Sequence, residues 1–128
     1  MAGKDSDCIF CNISPDRYVT ENDLAFAVRD GFPVTEGHTL IIPKRHIADY
    51  FDLTAEERTS IEALAHECRD DLIKSDPDID GFNIGANAGA SAGQTVFHVH
   101  VHLIPRRTGD TAEPRGGVRG VIPGRQSY

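Results

Sequence analysis

The segment Gln94-Thr95-Val96-Phe97-His98-Val99-His100-Val101-His102-Leu103-Ile104-Pro105 decides the fold of this chain. Apolar residues and histidines alternate in its centre. A period of two predicts a β-strand, because successive side chains leave opposite faces of the pleat. The apolar members should therefore enter a core: Phe97, Val99, Val101 and Leu103. The three histidines should share the other face: His98, His100 and His102.

A face made of three imidazoles has three interpretations. It is a solvent-facing polar strand that happens to use histidine, a nucleophilic or acid–base site, or a metal site. Imidazole is costly to bury unpaired and titrates near neutral pH, so packing alone does not explain the row. Three alternate positions on one straight strand also converge poorly on a single ion, which counts against a three-histidine metal site.

A loop of small residues precedes the histidine segment and runs from Gly85 to Gly93. Without bulky side chains, its backbone N–H groups can approach a ligand closely, and such loops suit phosphate. Three polar side chains add neutral hydrogen-bonding groups: Asn87, Gln94 and Thr95. Joined to the histidines, the loop predicts an anion held beside an imidazole.

Cys8 and Cys11 form a Cys-x-x-Cys element near the start of the chain. A zinc knuckle, a redox pair and two unrelated thiols all remain open on this spacing alone. A redox pair usually opens a helix in a βαβ unit, and the following residues 12–15 offer no such context. Cys68 lies on the apolar stripe of a predicted helix, so we expect it in the core.

The order of predicted elements indicates an α+β domain with a mainly antiparallel sheet of about five strands and one long helix. Thr54 and Glu57 form a capping box, which marks where the helix begins. The predicted strands and helix are Tyr18–Glu21, Leu24–Val28, His38–Pro43, Ala55–Lys74, Phe82–Ile84 and the histidine strand. We expect one domain over residues 1–107 and an Arg/Gly/Pro-rich tail over residues 108–128.

Composition restricts the classes of partner. The 128-residue chain carries a net charge of −7, although the segment from Arg106 onward has five arginines against two carboxylates. An acidic body argues against long nucleic acid as the main partner. No apolar run is long enough to span a membrane, and the first residues lack an apolar signal core. We therefore expect a cytoplasmic protein with reduced cysteines and no membrane partner.

The histidine segment resembles the signature of the histidine triad (HIT) family, in which three histidines alternate with apolar residues. The earlier segment Gly37-His38-Thr39-Leu40-Ile41-Ile42-Pro43-Lys44-Arg45-His46 is similar to the second block of that family. The two blocks occur in the family's order and separation. The resemblance extends from about Asp7 to about Arg106, most of the chain.

The resemblance implies a HIT-like fold whose sheet continues across a homodimer. It also implies a nucleotide hydrolase or nucleotidyl transferase that cleaves at the α-phosphate of adenylated compounds, such as adenosine phosphoramidates, acyl-adenylates or dinucleoside polyphosphates. His100 lies between two further imidazoles on its face, which makes it the natural nucleophile, and in the family this histidine is transiently nucleotidylated. The alternative is a non-catalytic nucleotide- or zinc-binding module on the same fold.

Carried over by position, the resemblance assigns further roles. Catalysis would involve His100, His102, His38 and Thr95. Substrate binding would involve Asp30 on the ribose, Asn87, Gln94, Thr95 and His102 near the phosphate, and Phe10 at the nucleobase. Phe26 is a second candidate for the base pocket, although both aromatics are equally explained as core residues. Some family members bind structural zinc, for which the ligands here would be Cys8, Cys11, His46 and His98. No organic cofactor is expected.

Overall fold

The computed structural model describes residues 5–128. Residues 1–4 of the predicted domain, and with them part of the N-terminal segment, lie outside the described residues. The strands are β1 (Tyr18–Glu21), β2 (Ala25–Arg29), β3 (Thr39–Pro43), β4 (Ile79–Gly85) and β5 (Val101–Arg107). The α-helix is α1 (Ala55–Ser75). Four short 3₁₀ helices lie at Pro15–Arg17, Tyr50–Asp52, Ala90–Ala92 and Gly117–Val121.

The five strands form one sheet in the order β1-β2-β3-β5-β4, and every pairing is antiparallel. The predicted α+β class, with about five antiparallel strands and one long helix, is confirmed. β3 and β5 are neighbours in the middle of the sheet, where Leu40 lies opposite His102. This pairing places the start of β3, which follows His38, beside the histidine segment.

The sheet separates two apolar clusters. One lies between the sheet and α1 and contains Ala25, Ala27, Ile41, Leu64, Cys68, Val99, Val101 and Leu103 among its members. The other lies on the opposite face and contains Cys8, Phe10, Phe26, Val28, Leu40 and Ile42. The prediction that Cys68 is a core residue is confirmed, since it is 1% exposed. The N-terminal cysteine segment thus covers the sheet face that α1 leaves open.

The helix begins with the predicted capping box. The Thr54 hydroxyl accepts a hydrogen bond from the Glu57 N–H at 3.1 Å, and the Glu57 carboxylate accepts one from the Thr54 N–H at 2.9 Å. Glu57 is nevertheless buried, and both of its oxygens accept hydrogen bonds from the Arg45 guanidinium at 2.8 and 2.9 Å. Arg45 follows β3 closely, so this ion pair fixes the first turn of the helix to the end of that strand.

The predicted strand over the histidines is wrong in its first half. β5 begins only at Val101, and residues 96–98 form a bend. The N–H of Val99 donates to the Ile47 carbonyl at 2.8 Å, outside the sheet ladder. Phe97 is 49% exposed and not in the core as expected. The Val99–Ile47 hydrogen bond holds the backbone outside the ladder here, and His98 contacts the N-terminal cysteines, with its Nδ1 3.4 Å from Sγ of Cys8.

The bounds of four other elements differ slightly from the prediction, and one of these elements is α1, which ends at Ser75 and not at Lys74. β3 begins at Thr39 and not at His38, β2 is shifted by one residue, and β4 is longer at both ends than the predicted Phe82–Ile84. The division between a domain ending at residue 107 and a tail stays a prediction, although β5 does end at Arg107. No helix within residues 5–128 is long and apolar enough to cross a membrane.

Glu57 predicts an acid-dependent loss of stability. Hydrogen bonds from Arg45 lower the pKa of its carboxyl from 4.5 to about 2. A folded-state pKa below the ordinary value stabilises the fold above pH 4.5, and this contribution disappears as the pH falls towards 2. We expect Glu57→Gln to lower the free energy of unfolding at pH 7 by roughly 2 kcal/mol, with a smaller deficit at acid pH.

Urea titrations of the wild type and Glu57→Gln between pH 7 and pH 2.5 would measure this difference. The matched control is Glu67→Gln, which removes the same charge from an exposed position on the same helix. If the difference in free energy of unfolding between the wild type and Glu57→Gln does not change with pH, Glu57 stabilises the helix by its shape and not by its charge.

Candidate functional site

His100 is held in one tautomer by the backbone. Its Nδ1 lies 2.9 Å from the carbonyl oxygen of His98. A carbonyl can only accept, so Nδ1 carries the proton and Nε2 carries a free lone pair. The bend before β5 leaves the His98 carbonyl outside the sheet ladder, where it can accept this bond. The ring of His100 is half-buried. The free lone pair on its Nε2 is chemically able to act as a nucleophile.

A second chain of hydrogen bonds fixes His38 and His102. The backbone N–H of Val34 donates to Nδ1 of His38 at 3.2 Å. Nδ1 therefore has no proton, and in the neutral ring the proton is on Nε2. This Nε2 lies 2.9 Å from Nδ1 of His102, which must accept. His102 consequently carries its own proton on Nε2 and is a donor, beside the acceptor ring of His100 at 5.3 Å between centroids.

Burial keeps these two rings neutral. It lowers the pKa of His38, and the nearby Asp30 carboxylate partly offsets the effect. Burial also lowers the pKa of His102, and the neighbouring His100 and His38 add to the decrease. His102 therefore presents a donor N–H beside Nε2 of His100, which the hydrogen bond to the His98 carbonyl leaves free to accept. This arrangement suits an electrophilic phosphorus and its oxygens.

The small-residue loop is organised by Gln94. Its side-chain oxygen accepts from the Gly89 N–H at 2.9 Å, and its amide nitrogen donates to the Ala48 carbonyl at 2.7 Å and the Val96 carbonyl at 3.2 Å. Gln94 is 5% exposed. From the sequence we predicted that this side chain binds the substrate. In the structure its hydrogen bonds go to backbone groups, so it shapes the loop. Thr95 is exposed and Asn87 is half-buried beside Gly93, so these two side chains are better placed as open donors.

The two candidate aromatics have different surroundings. The ring of Phe10 meets His100 edge-on with 4.9 Å between centroids and also lies 6.0 Å from the ring of His98. Phe26 is stacked on Tyr18 at 4.4 Å and is 2% exposed. Phe26 is therefore a core residue, whereas Phe10 contacts the ring of His100 and connects it with the N-terminal segment.

The structure brings Cys8, Cys11, His46 and His98 together, with their donor atoms within 4.8 Å of one another. Nδ1 of His98 lies 3.4 Å from Sγ of Cys8 and 3.5 Å from Sγ of Cys11, and Nδ1 of His46 lies 3.3 Å from Sγ of Cys11. A tetrahedral zinc ion would separate such sulfur and nitrogen atoms by roughly 3.6 Å. Two thiolates and two imidazoles are also the donor set that zinc prefers.

The surroundings of this cluster fit a metal as well. His98 is fully buried, and its Nε2 donates to the Pro43 carbonyl at 2.7 Å, which leaves the Nδ1 lone pair facing the sulfurs. Such a carbonyl partner is the usual support of a ligating histidine. Burial lowers the pKa of His98 and so favours the neutral ring. Backbone N–H groups of Cys11 and Asp5 point at the two sulfurs, at 3.4 and 3.3 Å.

A second group of possible metal ligands does not have the hydrogen bonds that a metal site needs. Oδ2 of Asp30 lies 3.4 Å from Nε2 of His38, and both lie within 4.8 Å of Nδ1 of His102. The Val34 N–H occupies Nδ1 of His38, so a metal on Nε2 would leave that ring with no proton at all. This set is a hydrogen-bonded cluster and its tautomers do not suit a cation.

Two groups that define the site were not predicted from the sequence: the N–H of Val34 and the carbonyl of Pro43. Both belong to the backbone, so residue type carries no signal for them. The sequence prediction also placed Asp30 on the ribose without expecting its contact with His38. The available signal was that Asp30 precedes His38 by eight residues. The chain folds back at residues 31–37 and so brings Asp30 and His38 to one end of the sheet.

The family model for the HIT domain matches residues 12–109. The chain belongs to the HIT family. This HIT chain is 38% identical over 114 residues to the adenylylsulfatase HINT3 of Arabidopsis thaliana, a match that covers 82% of this chain and 55% of the relative.

Two solved HIT structures share the fold. A zinc-bound histidine triad family protein from Mycobacterium smegmatis superimposes with a TM-score of 0.75 at 37% identity, and the match covers 84% of this chain and 80% of the other. A histidine triad nucleotide-binding protein from Candida albicans gives a TM-score of 0.70 at 33% identity and covers 78% and 75%. The predicted family and the fold of this HIT protein are thus confirmed.

Proposed function

We propose that this HIT protein is a nucleotide hydrolase or nucleotidyl transferase that cleaves adenylated substrates at the α-phosphate through a covalent nucleotidyl-His100. The hydrogen bond from Nδ1 of His100 to the His98 carbonyl carries the proposal, because it leaves the Nε2 lone pair free to attack phosphorus. Family membership supports nucleotide chemistry, since one relative is named an adenylylsulfatase and a solved relative a nucleotide-binding protein.

The remaining residues have complementary roles in this proposal. The Nε2–H of His102, the hydroxyl of Thr95 and the amide of Asn87 donate to the phosphate oxygens, where negative charge develops. His38 holds His102 in place, and Asp30 binds the ribose. Gln94 contributes through the loop that it shapes, and Phe10 supports the ring of His100 beside the base.

The test is intact-protein mass spectrometry on a rapid-quench timescale, with an adenosine phosphoramidate and a diadenosine polyphosphate as separate substrates. We expect an adenylate mass on the wild type and none on His100→Ala, whose turnover should fall by roughly 10³-fold or more because the nucleophile is lost. Glu67→Ala is the control, since Glu67 is exposed on α1. Absence of both adduct and turnover would favour a non-catalytic binding module.

We also propose that Cys8, Cys11, His46 and His98 hold a structural zinc ion. Such a closed site has no open coordination position, and its ion would stabilise the N-terminal segment against the sheet. The solved relative from Mycobacterium smegmatis, named as zinc-bound, supports this proposal. Metal binding would deprotonate Cys11, whose thiol pKa burial otherwise raises.

Elemental analysis of protein purified without added zinc measures this directly. We expect about one zinc per chain in the wild type and little in Cys8→Ser, with a lower melting temperature because binding free energy contributes to folding. Cys68→Ala is the control: it removes a buried thiol outside the cluster, so stability should fall while zinc is retained. Zinc-free wild-type protein with freely titratable thiols would contradict the assignment.

We further propose a homodimer in which β4 meets its copy. β4 is an edge strand, so its outer hydrogen-bonding groups can pair with a second strand. Ile84 near its end is 53% exposed, and it lines a groove of about 730 Å³ with Phe51, which is 79% exposed. A groove with exposed apolar side chains beside an open strand edge suits a copy of the same surface.

Light scattering after size-exclusion chromatography tests the dimer. We expect wild-type protein to have twice the mass of the chain and Ile84→Lys to be monomeric, because the charge would be buried in the interface. Leu24→Lys, in the hairpin turn at the opposite edge of the sheet, should remain dimeric. A monomeric wild type would disprove the proposal.

A further inference from the structure

The two cysteines of the N-terminal segment differ in their access to solvent. Cys8 is 8% exposed, whereas Cys11 is half-buried. The N–H of Asp5 points at the sulfur of Cys11 at 3.3 Å, and the proposed zinc site would hold that sulfur as a thiolate. A thiolate that solvent can reach, with a second thiol close by, is the arrangement of a peroxide-reactive cysteine and its resolving partner.

The segment that carries these cysteines contacts His100 by two routes. Phe10 lies between the cysteines in the chain, and its ring meets that of His100 with 4.9 Å between centroids. His98, whose Nδ1 faces both sulfurs at 3.4 and 3.5 Å, uses its backbone carbonyl to accept the Nδ1 proton of His100 at 2.9 Å. A chemical change at the sulfurs therefore reaches the ring on which the proposed function depends.

His98 requires a partner at Nδ1. Its ring is completely buried and its Nε2 donates to the Pro43 carbonyl at 2.7 Å, so Nδ1 is an acceptor. A thiol proton or a zinc ion can occupy that lone pair, whereas a disulfide has no proton to donate and no thiolate charge to hold zinc. A buried acceptor without a partner is costly. The bend at residues 96–98 lies outside the sheet ladder, so it is the part of the backbone that can open and bring Nδ1 to water.

We infer that Cys11 and Cys8 form a peroxide-sensitive site, at which a hydroperoxide converts the pair into a disulfide, zinc is released and His100 loses the tautomer that attack requires. This inference rests on the proposed function and on the proposed zinc site, and it adds a modification that switches both off. Cys11 is the residue that meets the peroxide, because its sulfur is the more accessible of the two. Cys8 is the resolving residue.

The chemistry balances with hydrogen peroxide as the oxidant. The Cys11 thiolate forms a bond to one peroxide oxygen as the O–O bond breaks, and the other oxygen leaves with the electron pair as hydroxide. The Cys8 thiolate then attacks Sγ of the Cys11 sulfenic acid, the S–O bond breaks and a second hydroxide leaves. Two protons from solvent convert these hydroxides into water. The cysteine pair is oxidised by two electrons, and the peroxide is reduced by two.

A hydrogen peroxide titration of the reduced, zinc-loaded 128-residue chain tests the inference. We expect intact-protein mass spectrometry to show the loss of two hydrogens and peptide mapping to join Cys8 to Cys11. A chromogenic chelator should detect about one zinc ion released per disulfide. The adenylate adduct on His100 should then form about tenfold more slowly or not at all, because a nitrogen that carries the proton has no lone pair for attack. Dithiothreitol with added zinc should restore it.

Nitrogen-15 NMR of the His100 ring gives a readout that does not depend on activity. We expect a single tautomer with the proton on Nδ1 in the reduced protein, and a mixture of the two tautomers after oxidation. Cys68→Ala is the control: it removes the buried third cysteine and leaves the pair intact, so zinc release should follow the same peroxide dependence as in the wild type. Far-UV circular dichroism should show that α1 survives oxidation.

The possible failures are distinguishable. No disulfide between Cys8 and Cys11, or a disulfide that leaves the adduct rate and the His100 tautomer unchanged, would overturn the inference while nucleotidyl transfer remained. Loss of the helix signal on oxidation would also overturn it, because the effect would then be unfolding and not a change at the bend. No adduct before peroxide is added would instead overturn the proposed function, and a zinc-free reduced chain would overturn the zinc site; the inference would fail with either.

Discussion

The position of His98 is the constraint on which the rest of the site depends. Its ring is fully buried, with Nε2 donating to the Pro43 carbonyl and Nδ1 facing the sulfurs of the cysteine pair. Its own backbone carbonyl accepts the Nδ1 proton of His100. One residue therefore joins the N-terminal segment, the end of β3 and the ring of His100. A change in the cysteine cluster would move the carbonyl that selects the tautomer of His100.

The two faces of the sheet differ in role: one packs against the helix and the other carries the candidate site. On one face α1 covers an aliphatic core, and the Arg45–Glu57 pair fixes the first turn of the helix to the end of β3. On the other face the cysteine segment, Phe10 and the histidines lie together. Stability contributed by the helix is thus physically separate from the site, and the second face can use polar groups that a close-packed core would exclude.

Sequence periodicity predicted the fold because most of it depends on local signals. The capping box at Thr54 marked the helix start, and alternation marked the strands. The same reasoning failed at Phe97, where alternation continued although the backbone bends. There His98 contacts Cys8, which lies 90 residues away in the chain, and a periodicity argument cannot include so distant a contact. The four candidate zinc ligands were nonetheless grouped correctly in space.

The limits of the sequence are clearest in the histidines themselves. His98, His100 and His102 are identical in residue type and evenly spaced, yet each has a different hydrogen-bond partner: the Pro43 carbonyl, the His98 carbonyl and the ring of His38. These partners decide which nitrogen of each ring carries the proton and which carries the lone pair, and the proposed roles of metal ligand, nucleophile and donor depend on that difference. Two of them are backbone carbonyls, and the third acts because the Val34 N–H orients it. The motif supplies three interchangeable rings, and the backbone around them assigns their chemistry.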